Sequence, residues 1–223
     1  VAGAVVGLIG VIAVFLWKGD HLGAAKVARV LAPAGLIAVA FSGGARKTRY
    51  GVGIMVALAV FLVSDLIMGL PEGKQSAVAL AVFALAHIAL VAAFCLRGVA
   101  LAWVIVMTGI FVLVIGGVLS WLNPLEIEES GCVPLVAFVI LASAVPITGS
   151  ATRGAGASLF LPFGALGIYV FDVFLARMCY VTSDFANAAI GLPVYYAGLV
   201  LLALSVAEER TDKPKQEIQE VPR

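Results

Sequence analysis

The chain has 223 residues, 63% of them hydrophobic and 12% charged, with a formal net charge of +1 and a mean hydropathy of +1.14. A soluble domain carries roughly 25% charged residues, and a globule of this size turns much of its surface to water. A water-soluble enzyme, a nucleic-acid binder and a disordered protein are therefore excluded, which leaves the interior of a membrane.

A helix needs about 20 mostly apolar residues to cross ~30 Å of hydrocarbon. That ruler predicts eight spans, near 2–17, 27–42, 51–70, 77–95, 99–121, 133–150, 156–179 and 188–206. The fold class is thus an all-α, polytopic bundle of about eight transmembrane helices. The first segment lacks a basic leader region and is followed by charges rather than a small-residue cleavage site, so it reads as a span. The second is short and begins with Lys26 and Arg29. Residues 1–206 form one bundle domain. The segment 207–223 is charged, contains Pro214 and Pro222, and is expected to be a solvated, flexible tail.

Basic residues set the orientation. With the N-terminus inside, the inner loops and tail hold Arg46, Lys47, Arg49, Arg97, Arg153, Arg210, Lys213, Lys215 and Arg223. The outer loops hold Lys18, Lys26 and Lys74, and the acidic run Glu126, Glu128, Glu129 also falls outside. This bias puts both termini in the cytoplasm. Three scattered cysteines (Cys95, Cys132, Cys179) make no disulfide framework. Two histidines, His21 and His87, are too few for a three-histidine metal site, and no cofactor or metal is expected.

Ionisable groups at bilayer depth cost several kcal/mol and mark functional positions. Asp65 lies in AVFLVSDLIMGL, His87 in FALAHIALVAAF, Asp172 in GALGIYVFDVFLARM, and Tyr195 and Tyr196 in LPVYYAGLVLL. Asp65 is about five residues from the outer end of its span, Asp172 about seven, His87 about ten and Tyr195 about seven, at ~1.5 Å per residue. All four reach a similar depth, as residues of one cavity would. Each has a structural alternative. Asp65 can cap a broken helix or pair across the bundle. Asp172 can meet Arg177 five residues on. His87 can serve as a hydrogen bond between helices, and the tyrosines as part of an interfacial belt. Lys26 and Arg29 can receive a lipid phosphate or simply snorkel.

No lysine lies mid-span for a retinal Schiff base, and G-x-S-x-G, H-E-x-x-H and phosphate-loop motifs are absent. FLVSDLIMGL and IYVFDVFLAR each place an Asp late in a span, the third and the seventh. That echo is consistent with a four-plus-four repeat carrying two facing carboxylates.

The ordered set Lys26, SDLIMGL (64–70), AHIALVAAF (86–94), GALGIYVFDVFLA (164–176) and YYAGLVLLAL (195–204) resembles the YhhN-like integral membrane family, whose characterised members include lysoplasmalogenases. Phe171 stands where that family usually has serine, Gly198 where glutamine is common, and Leu90 in place of a frequent aromatic. The resemblance implies an eight-helix hydrolase that cleaves the vinyl ether of a lysoplasmalogen, a lysophospholipid drawn from the surrounding membrane lipids. No metal and no cofactor take part. It implies catalytic roles for Asp65, Asp172 and His87. Lys26, Arg29, Tyr195 and Tyr196 would bind substrate. The chemistry suits these residues: withdrawal from water favours the neutral form of a carboxyl group, and a neighbouring carboxylate favours it further. The competing readings are a proton- or ion-coupled transporter, or a lipid-binding membrane protein without chemistry.

Overall fold

The structure, a computed structural model, describes residues 12, 22–68, 75–123, 129–182 and 184–219. Among them are seven α-helices and no strand: α1 (Leu22–Ser42), α2 (Arg49–Met68), α3 (Gln75–Arg97), α4 (Leu101–Leu122), α5 (Glu129–Ala151), α6 (Phe160–Tyr180) and α7 (Phe185–Gln219). The last six each hold a stretch long and apolar enough to cross a membrane, and α1 adds a shorter apolar stretch at Val30–Ser42. In hydrocarbon a backbone group has no water to bond, so an apolar run satisfies its N–H and C=O groups within its own helix. The chain is an integral, multi-pass membrane protein. The predicted span at 2–17 lies outside the described residues apart from Ile12, and with it the count of eight and the four-plus-four repeat. Helix α7 continues to Gln219, into the charged segment that follows the bundle.

Six helices close a ring. Helix α1 packs on α2, α2 on α3, α3 on α5, α5 on α6, α6 on α7, and α7 returns to α1 while also touching α2. Helix α4 stands outside this ring, against α5. Its sequence explains the position. It is the most apolar of the spans and buries only Phe111 and Leu122. The short connection before it is set by Gly98, whose φ of 107° ends α3 in the left-handed turn that glycine adopts without strain. Its N–H closes on the carbonyls of Phe94 and Cys95.

Glycine also sets how closely α6 and α7 approach. A Cβ at Gly198 would lie 2.8 Å from the carbonyl oxygen of Gly164 and 3.1 Å from the amide nitrogen of Ile168. A side chain has no room at 198 while the two backbones touch. Gly198→Val is expected to destabilise the protein by about 1–3 kcal/mol through overpacking, read as a lower unfolding temperature in detergent.

At the end of the bundle where α2 begins, polar side chains tie three helices together. Tyr50 and Ser205 share a 2.5 Å hydrogen bond. Arg97 Nε lies 3.6 Å from Glu209, and the Thr48 hydroxyl donates to the other Glu209 oxygen at 3.4 Å. The intramembrane acids lie toward the opposite end, where α2 and α6 finish and α3 and α7 start.

Candidate active site

His87 and Asp172 meet in the interior. His87 is fully buried and Asp172 is 1% exposed, with Nε2 of the ring 2.7 Å from Oδ2 of the carboxyl group. The other ring nitrogen, Nδ1, lies 2.7 Å from the backbone carbonyl of Phe83. A carbonyl oxygen only accepts, so Nδ1 carries a hydrogen and donates it. The contact at Nε2 then contains one further proton. Either an imidazolium donates it to a carboxylate, or a carboxylic acid donates it to a neutral imidazole. Both descriptions are neutral overall, which is the charge state that burial in hydrocarbon tolerates. The second carboxyl oxygen, Oδ1, has no hydrogen-bond partner among the described residues and is available to an incoming group.

Asp65, 2% exposed, belongs to the same interior. The Tyr195 hydroxyl donates to its Oδ2 at 3.3 Å. The Tyr195 ring packs 4.5 Å from Phe171, the chain neighbour of Asp172. Phe61 bridges the two polar pairs, with its ring 5.7 Å from that of His87 and 5.8 Å from that of Tyr195. Phe83 bridges them again, at 5.7 Å and 6.0 Å. Phe138 closes the far side of His87, edge-on at 5.9 Å. Four helices of the ring thus bring two carboxyl groups, one imidazole and one phenol into an aromatic enclosure, with α5 supplying a wall.

Helix geometry explains the enclosure. Side chains lean toward the helix N-terminus and settle over the residue four back. Phe61 stands four before Asp65, and Phe83 four before His87. The sequence reading missed both phenylalanines, together with Phe138; the repeated F-x-x-x-D and F-x-x-x-H spacing is the signal that identifies the first two. Phe171 packs on the Tyr195 ring at 4.5 Å and makes this wall apolar.

The remaining residues singled out in the sequence divide clearly. Tyr196 is fully buried, with its ring 5.1 Å from that of Tyr195, so neither tyrosine belongs to an interfacial belt. Arg177 does not turn to Asp172; its guanidinium lies 4.4 Å over the Trp121 ring. Lys26 and Arg29 stand on α1, and their side chains lie outside the described residues.

The model of the YhhN family matches residues 24–206, a stretch that contains every one of these positions. No curated protein and no solved structure matches the chain.

Proposed function

The chain belongs to the YhhN family, and we propose that it is a membrane hydrolase that cleaves the vinyl ether of a single-chain ether lysophospholipid, releasing a fatty aldehyde and a glycerophospho-alcohol. The observation that carries this reading is the His87–Asp172 contact, which stores one transferable proton inside an aromatic, lipid-shielded enclosure. A vinyl ether is opened by protonation of the carbon β to its oxygen, and this pair has the proton to give.

The steps follow from the groups present. The His87–Asp172 pair transfers its proton to the β-carbon, and the alkenyl group becomes an oxocarbenium ion. The pair now carries one negative charge beside one positive charge, an arrangement that stabilises the cation most where water is scarce. Asp65, held by the Tyr195 hydroxyl, orients a water and accepts one of its protons as the oxygen adds to the cationic carbon. The product is a hemiacetal. Its collapse to aldehyde and alcohol requires a proton on the leaving oxygen and the loss of one from the hydroxyl, so the acids return to their starting state and one water is consumed. Phe61, Phe83 and Phe171 keep bulk water from the cation. In this reading Lys26 and Arg29 attract the headgroup phosphate, Tyr196 supports Tyr195 against the substrate, and both termini lie in the cytoplasm.

The test is the purified full chain in detergent, given a 1-alkenyl lysophospholipid, with released aldehyde trapped and quantified by mass spectrometry. Steady aldehyde release is expected, and in deuterated water one deuterium is expected on the carbon next to the aldehyde. Release no faster than in protein-free micelles, or aldehyde without that deuterium, would overturn the reading.

A further inference from the structure

Helices α3 and α5 pack on each other without being joined by a hairpin, because α4 leaves the ring and returns between them in sequence. Along this seam is an apolar groove of about 480 Å³, within the range of roughly 300–1,000 Å³ usual for small-molecule sites. Small side chains open it: Ala81 and Ala84 from α3, and Ala137 from α5, with Tyr180 of α6 at one end. Ala81, Pro134 and Ala137 are exposed on the flank of the bundle, which in a membrane faces lipid chains rather than water. On the inner side the groove ends at Phe138, and the other edge of that ring rests on His87.

We propose that this groove binds the hydrocarbon chain of the substrate and is its lateral entrance from the bilayer, with Phe138 as the partition between chain and reacting bond. The inference rests on the hydrolase reading for the identity of the lipid, but the geometry carries its own argument. A lipid whose reactive bond adjoins its chain must place that bond at the acids while the chain stays in an apolar surrounding. The groove offers an uncharged recess of suitable size that faces the lipid phase and ends on Phe138, the ring packed against the histidine. Residues 134, 137, 138 and 141 line it at helical spacing, so α5 turns one continuous face to the chain. Ala84 stands three residues before His87 on α3, so it shares that residue's face of the helix. Bulk added at Ala84 or Ala137 would shorten the space for a chain without touching a polar group of the site.

The experiment compares 1-alkenyl lysophospholipids with chains of increasing length, using full-length protein in detergent. Ala137→Phe, and independently Ala84→Phe from the opposite wall, are expected to lower kcat/KM for long chains by tenfold or more and to leave short chains within threefold of the parent. An equal loss at all lengths, or no loss at any, would overturn the assignment. A second measurement does not need turnover. A single-chain phospholipid with a photoreactive group at its chain terminus, irradiated with the parent protein in micelles, is expected to label the segments 80–84 and 134–141. Labelling confined to other segments would overturn the groove even if the enzyme were active. Labelling of these segments by a protein that releases no aldehyde would keep the chain site and overturn only the hydrolase.

Discussion

Asp172→Asn is expected to lower the rate of aldehyde release by about two orders of magnitude or more, with the bundle intact. The size follows from the role. A positioned acid or base contributes roughly 10²–10⁴-fold, and here the carboxyl group is one of the two bearers of the shared proton. Asparagine preserves the shape and still offers His87 Nε2 a hydrogen-bond partner, so the loss is chemical rather than structural. Alanine would confound the test. It would leave a fully buried imidazole nitrogen facing hydrocarbon where the carboxyl now stands at 2.7 Å, and removing one member of a buried pair costs about 3–5 kcal/mol. The asparagine variant should therefore unfold within a few degrees of the parent while its turnover collapses. Turnover within threefold of the parent, a difference of under ~1 kcal/mol, would mean that the His87–Asp172 proton is not the one delivered to substrate.

The legible part of this molecule was the part written in hydropathy. Five of the predicted spans, those at 51–70, 77–95, 99–121, 133–150 and 156–179, overlap α2 to α6, and the final one overlaps α7. An uninterrupted apolar run leaves the chain no alternative to a helix in lipid. Asp65, His87, Asp172 and Tyr195 are lone polar groups in apolar spans, and all four are buried in the bundle. What hydropathy could not convey was partnership. Nothing in the spacing distinguishes His87 from Arg177 as the neighbour of Asp172, because that choice depends on which helix faces α6 across the interior. The displacement of α4 from the ring was equally hidden, although its unusual lack of polar residues is what permits it. The need for glycine at 198 becomes understandable only when the carbonyl of Gly164 is seen against it. The aromatic walls were missed because phenylalanine in a membrane span is ordinary; only its repeated place four residues before a polar group is informative.

The second carboxyl group poses a sharper question, because its effect should be inseparable from that of a tyrosine on another helix. Asp65→Asn is expected to reduce aldehyde release by about 100-fold, within the range of general-base contributions. Tyr195→Phe removes the hydroxyl alone. The ring keeps its neighbours Phe61, Phe83 and Phe171, so folding should be undisturbed, and a loss of about tenfold is expected from the released carboxyl group. The hydrogen bond between them is 3.3 Å long, longer than the usual O–H···O separation; catalytic hydrogen bonds often tighten once substrate is bound. If the tyrosine acts only by holding Asp65, its hydroxyl has no base left to position once an amide replaces the carboxylate, although the amide oxygen still accepts its hydrogen bond. The double variant should then be no slower than Asp65→Asn alone, a coupling that a double-mutant cycle measures directly. Losses that simply multiply would assign Tyr195 an action on substrate independent of Asp65. A rate for Asp65→Asn within threefold of the parent would remove the second carboxylate from the chemistry and leave the water to be oriented by the free Oδ1 of Asp172.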